Sequence, residues 1–191
     1  MVVFLCPYFP LCKTAGFCIF NVQLFNSEMK TVLLIRHAKS SWADPGMIDF
    51  ERQLNDRGLK DAPLMAERLL LNQVKIDTMI CSSAKRARQT CEAFASVYQF
   101  PPDQIQFKME LYLAPPERFY KVLKALPATV NHVAIFAHNP GITEFANELS
   151  SAKIDDMPTC SVFAIKANIS DWSNFEKAKK EFWFFDSPKK I

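Results

Sequence analysis

At 191 residues with 49% hydrophobic side chains, the chain can bury one sizeable core and is short for two domains. Its 23 Lys and Arg against 20 Asp and Glu leave a formal net charge of +3, with no concentrated basic stripe, which argues against nucleic acid as a partner and makes any anion-binding role local. Six cysteines, at 6, 12, 18, 81, 91 and 160, form no CxxC pairs and lack the density of a disulfide-stapled secreted domain, so reduced thiols in a cytoplasmic protein are expected.

Residues 1–28, "MVVFLCPYFPLCKTAGFCIFNVQLFNSE", are rich in Phe and broken by two prolines and a glycine. Lys13 is the only basic residue, and the apolar runs are short, so the segment fits neither a signal peptide nor a membrane span. Cys6, Cys12 and Cys18 are evenly spaced but have no histidine nearby, and no metal site is expected there. The segment is read as an N-terminal extension: a product of an upstream start, a poorly ordered arm or a weakly membrane-associating tail. The domain proper is expected to occupy 29–191, with no stable membrane association.

From Lys30 onward strand-like and helix-like segments alternate, which predicts an α/β fold with a mostly parallel central sheet covered by helices on both sides, a three-layer arrangement. "TVLLI" (31–35) is a short continuous apolar run, as a strand buried on both faces should be. "LNDRGLKDAPLMAERLLL" (54–71) reads as a helix capped by Asn55, with Leu59, Ala62, Ala66 and Leu69 on its apolar face and a kink or restart at Pro63. "IDTMICSS" (76–83) is a second strand, and "AKRARQTCEAFASVYQF" (84–100) a helix ending before Pro101. "PPERFYKVLKAL" (115–126) sets Phe119, Val122, Leu123 and Leu126 on one helical face. "HVAIFAHNPGITEFANEL" (132–149) is strand, loop and helix, with Asn139 suited to the cap and Pro140 to the first helical position. "SVFAIKA" (161–167) and "EFWFF" (181–185) predict a further pair of strands at or near the sheet edge.

Three strands end in polar groups: the first in Arg36 and His37, the second in Ser82 and Ser83 with Arg86 a turn later, the third in His138 and Asn139. The carboxyl ends of strands in an open parallel sheet share one edge, and ligands bind outside it. Two arginines suit the oxygens of a tetrahedral dianion, and helix N-termini add partial positive charge, so the guest expected there is a phosphoryl group. A neutral histidine beside it can attack phosphorus, which makes His37 the candidate nucleophile and His138 a candidate stabiliser of the developing charge. His132 precedes its strand and is expected at the opposite edge in a structural role. Ser82 and Ser83 lack a GxSxG elbow and read as helix caps. Lys85 and Arg88 read as solvent-facing or rim residues, and Arg52 is open between pocket and surface.

"LIRHAKS", "CSSAKRARQT" and "FAHNPGITEFANEL" resemble the three signature segments of the histidine phosphatase (phosphoglycerate mutase-like) superfamily, whose first segment usually reads RHG and whose second reads SxxxRAxxT. The likeness is nearest to the small SixA-like phosphohistidine phosphatase branch and extends through "DFERQLNDRG" and "MPTCSVFAI". Ala38 stands where the superfamily usually has glycine, and Ala43 where the mutases carry asparagine. The resemblance implies a phosphoglycerate mutase-like fold with added C-terminal strands, Arg36, Arg86 and His138 on the phosphate around His37, and Arg52 as a further arginine of the site. Asn139 is a further candidate for substrate binding. The resemblance also makes Glu110, in "KMELYLA", the nearest match to the general acid; as a bare residue, it reads equally as a loop carboxylate.

The expected activity is hydrolysis through a phosphohistidine intermediate, without metal or organic cofactor. The expected substrate is phosphohistidine on a signalling or phosphotransfer protein. About twenty residues separate Tyr112 from the strand at His132, and one helix consumes most of them. That leaves no room for a large lid, and an open pocket suits a protein-borne phosphoryl group. The alternatives are a small-molecule phosphomonoesterase and a catalytically idle phosphoprotein-binding module.

Overall fold

A computed structural model describes residues 29–43 and 46–189. The N-terminal extension, including Cys6, Cys12 and Cys18, lies outside the described residues. The described part forms a six-stranded sheet in the order β3-β2-β4-β1-β5-β6, comprising β1 (Lys30–Arg36), β2 (Thr78–Ser82), β3 (Gln106–Lys108), β4 (His132–Ala137), β5 (Val162–Ala167) and β6 (Lys180–Asp186). Strands β1 to β4 pair in parallel, β5 runs antiparallel to β1, and β6 antiparallel to β5. The added C-terminal pair thus sits at one end of the sheet, as expected. The short edge strand β3 had no signal of its own in the sequence.

β1 is apolar throughout because both faces are covered. Successive side chains on a strand point to opposite faces. Val32 and Leu34 therefore join a core with Phe119 and Leu123 of α3 (Pro116–Lys124) and Phe145 of α4 (Gly141–Leu149). Leu33 and Ile35 join the opposite core with Ala62, Met65 and Leu69 of α1 (Asp56–Leu71) and Cys91 and Phe94 of α2 (Lys85–Tyr98). The result is the three-layer α/β arrangement. Cys81, Cys91 and Cys160 are buried free thiols.

Asn55 caps α1 as expected, accepting from the Gly58 N–H at 3.0 Å. Two expectations for this helix need correction. The helix runs unbroken from Asp56 to Leu71, so Pro63 is not a restart. Pro63 has no N–H for the carbonyl four residues back, that of Leu59, and Leu59 lies on the exposed side, where water can serve that carbonyl. Leu59 is accordingly 54% exposed and not part of the apolar face, which Met65 completes.

Two glycines mark where backbones meet. A Cβ on Gly58 would lie 2.2 Å from the Lys39 carbonyl oxygen, and one on Gly141 would lie 1.7 Å from that of Ala114. Gly141 opens α4 against the loop that follows Tyr112, so Gly141→Ala must push helix and loop apart. A loss of about 1–3 kcal/mol is expected, measured as a lower urea midpoint; an unchanged midpoint would contradict this close approach.

Candidate active site

Strand register brings the site together. Arg36 pairs with Ala137 across β1 and β4, so the next residues, His37 and His138, leave the sheet side by side. The His37 N–H donates to the Ala137 carbonyl (3.1 Å), and the two imidazole centroids are 5.0 Å apart. On the other side of β4, Cys81 of β2 pairs with Phe136, which brings Ser82 beside His138. His132 starts β4 at the opposite sheet edge, as expected.

The nucleophile's tautomer follows from its two partners. Nδ1 of His37 lies 2.8 Å from the Ala38 carbonyl, which can only accept, so Nδ1 carries the proton. Nε2 therefore holds the lone pair, and it accepts from Arg86 Nε–H at 3.1 Å. Burial, followed by the charges of Arg86, Arg36 and Arg52, pushes the His37 pKa down to about 3. Burial, with His37 and Arg86, pushes that of His138 down to about 2. Both rings are neutral at any working pH, the state a nucleophile needs.

Three arginines surround these rings. Arg86, at the start of α2, is buried; besides Nε2 it reaches Asp49, with Nη2 2.9 Å from Oδ2. Arg52, also buried, donates from Nη1 to Asp49 Oδ1 (2.7 Å), from Nε to the Ser41 carbonyl (3.1 Å) and from Nη2 to Ser40 Oγ, and the Trp42 ring stacks on its guanidinium. Arg36 donates from Nη1 to Asp156 Oδ2 (3.0 Å) and the Met157 carbonyl. Thr90 locks α2 to the turn after β1: its hydroxyl donates to the Arg86 carbonyl (2.7 Å) and accepts from the Ala38 N–H (3.0 Å).

Among the described residues, three buried side-chain atoms have no hydrogen-bond partner, Ser161 Oγ and, in this cluster, Arg36 Nε and His138 Nδ1. Leaving such groups unpaired costs about 1–3 kcal/mol each, so the two in the cluster mark where ligand atoms are meant to bind. With the three guanidinium groups they suit the oxygens of a tetrahedral anion. No group of three or more His, Cys, Asp or Glu that could hold a metal occurs among the described residues.

Several candidates take places that the sequence did not indicate. Ser82 and Ser83 do not cap α2, whose N-cap is Ala84; the Ser82 hydroxyl instead meets His138 Nε2 at 2.8 Å. Asn139 does not cap α4, because its amide donates to Asp156 and the Met157 carbonyl (3.2 Å) and its oxygen accepts from the Thr143 hydroxyl (2.9 Å). The helix starts at Gly141, after Pro140. Lys85 and Arg88, expected at solvent or the rim, line a cavity of about 410 Å³ with Phe50 and Ser83. Glu110 sits two residues before Tyr112. It lies on a short 3-10 helix, Met109–Leu111, and its carboxylate faces Lys121 of α3 at 3.7 Å.

Two carboxylates that sequence reasoning passed over face the cluster: Asp156, held by Arg36 and Asn139, and Asp49, held by Arg86 and Arg52. Besides its two arginines Asp49 accepts from the Tyr112 hydroxyl at 2.7 Å. The Tyr112 ring packs edge-on against His138 and Phe50. Burial pushes the Asp49 carboxyl up, but the Tyr112 hydrogen bond and the Arg86 and Arg52 charges outweigh it and hold it below its ordinary value. The available signal was its place in "DFERQLNDRG", three residues before Arg52.

Comparisons with known proteins agree with this fold. The family model described as "Histidine phosphatase superfamily (branch 1)" matches residues 32–111. An uncharacterised Mycobacterium tuberculosis protein is 31% identical over 117 residues, covering 61% of this chain and 70% of that protein. A SixA structure from Agrobacterium tumefaciens superposes with a TM-score of 0.68 at 25% identity, covering 83% of this chain and 99% of that one. The protein histidine phosphatase SixA complexed with tungstate gives a TM-score of 0.71 at 23% identity, with 83% and 97% covered.

Proposed function

The chain belongs to the histidine phosphatase superfamily, with the SixA-like fold within it, and from that premise we propose that it removes phosphate from phosphohistidine carried on a signalling or phosphotransfer protein of the cytoplasm. The observation that carries this reading is the Nε2 lone pair of His37, fixed by the Nδ1–H bond to Ala38 and set among Arg86, Arg36 and His138.

The phosphoryl oxygens take the guanidinium groups of Arg86, Arg36 and Arg52, and Arg86 exchanges its bond to Nε2 for one to the ligand. Nε2 then attacks phosphorus, the bond to the leaving nitrogen breaks, and charge building on the equatorial oxygens is met by the arginines and His138. A water oxygen then attacks phosphorus and gives up a proton to solvent, the P–N bond breaks with its electron pair returning to Nε2, and inorganic phosphate leaves. Arg36 keeps Asp156 and Asn139 keeps its Asp156 and Met157 contacts as a fixed wall beside the entrance.

Two features support a protein-borne substrate. α3 is the only helix between Tyr112 and β4 among the described residues, so no lid is built there. Trp42, Ile48 and Leu113 are exposed apolar residues beside Arg52, Asp49 and Tyr112 respectively, a surface suited to a docking protein. The deciding measurement is kcat/KM on a phosphohistidine-bearing protein against a panel of small phosphate esters, and the phosphohistidine protein is expected to be favoured by about tenfold or more. Preference for a metabolite would make the protein a small-molecule phosphomonoesterase. Tight phosphoprotein binding without turnover would make it a binding module.

A further inference from the structure

Arg86 and Arg52, the cations that would grip a phosphoryl group, already hold a carboxylate, and that carboxylate sits at the mouth. His37 is 8% exposed on the floor of the site, whereas the Asp49 side chain is 42% exposed above it. A group leaving phosphorus opposite His37 must depart toward the mouth, on the side of Asp49. Building on the hydrolysis proposed above, we propose that Asp49 is a further catalytic residue, which shields the phosphate cradle at rest and, once a phosphate ester displaces it, carries the proton to the leaving oxygen.

The groups facing Asp49 explain the change of role. At rest it accepts from Arg86 of α2, Arg52 ahead of α1 and Tyr112 ahead of α3, with the neutral rings of His37 and His138 below it. Those cations favour the ionised carboxylate. A bound ester takes the arginines for its own oxygens and sets negative charge beside Asp49, and both changes favour the protonated carboxyl. The proton comes from the ester monoanion, whose second ionisation lies near pH 6.

The step balances as follows. The Nε2 lone pair of His37 forms the P–N bond while the P–O bond breaks; the leaving oxygen keeps that electron pair and takes the proton from Asp49. In the second half a water oxygen attacks phosphorus and gives its proton to the Asp49 carboxylate, and the P–N pair returns to Nε2. Phosphate leaves, and Asp49 releases its proton to solvent. A phosphohistidine substrate expels an imidazole of near-neutral pKa and needs little of this help, whereas an alkoxide needs all of it.

The test is kcat/KM, which reports events through leaving-group departure, for Asp49→Asn on a phosphohistidine peptide, 4-nitrophenyl phosphate and an alkyl phosphate. The loss is expected to grow with leaving-group pKa, from within about threefold on the peptide to about 10²-fold or more on the alkyl ester. Inorganic phosphate should inhibit the variant at least as well as wild type, since an internal competitor is gone. Misfolding scales all substrates alike and cannot produce such a slope. An equal loss on all three substrates, no loss on any, or a slope that moves with Glu110→Gln in place of Asp49→Asn would overturn the role. Failure of the wild type to form an acid-labile phosphoenzyme would bring down the hydrolytic reading itself, and this role with it.

Discussion

His37→Ala is expected to lower kcat by about 10⁴-fold or more and to abolish the acid-labile phosphoenzyme. No other described group can replace it. His138 is the only other imidazole at this edge; with Nε2 engaged by the Ser82 hydroxyl, its unpartnered Nδ1 meets the phosphoryl oxygens as a proton donor in the role proposed above, and a donor N–H has no lone pair for phosphorus. The three arginines have no lone pair to offer, and Ser82, Ser83 and the nearby carboxylates form no nucleophile–base pair. The substitution also leaves Arg86 Nε without its acceptor and opens a small buried space beside His138. Thermal melting should therefore accompany the assay, and His37→Asn, which keeps a polar side chain of similar reach, separates a folding defect from a chemical one. Turnover by either folded variant at the wild-type rate would end the covalent mechanism.

Arg86→Ala is expected to cost about 10³-fold in kcat/KM and Arg86→Lys about 10²-fold. One guanidinium does three things: it touches the nucleophile's lone pair, reaches Asp49 through Nη2 and stands ready for two phosphoryl oxygens. Lysine keeps the charge but has no planar fork, so it can grip one oxygen and not a pair. The backbone role of this position survives both changes, because Thr90 takes the Arg86 carbonyl and not its side chain. Both variants also lose or alter the buried side-chain bonds to His37 and Asp49, so melting is measured beside kcat/KM and inhibition by inorganic phosphate, and the loss of activity is expected in variants that remain folded at the assay temperature. A lysine variant matching wild type would mean that the guanidinium geometry is unimportant.

The parts of this protein legible in its sequence are those written in local pattern. The unbroken apolar run of β1 means burial on both faces, and the two cores on either side of Val32, Leu33, Leu34 and Ile35 are the consequence. Alternation of strand and helix implies parallel strands, and parallel strands bring their carboxyl ends to one edge, which is why Arg36, His37, Arg86 and His138 could be read as one site before any coordinates. The Asn55 cap and the face of α3 likewise depend on neighbours within a turn or two.

Tertiary structure alone decided the rest, because those features depend on partners far along the chain. Asp49 gains its place from Arg86, 37 residues on, and from Tyr112, 63 residues on. Arg52, equivocal as a bare residue, becomes buried through Ser40, Trp42 and Asp49 at the loop's closure. Asn139 and Ser82 have the composition of caps, but Asp156 and His138 compete for them and win. Local propensity describes what a residue does with its nearest neighbours; a polar side chain at a sheet edge goes to whichever charged or hydrogen-bonding partner the fold delivers there.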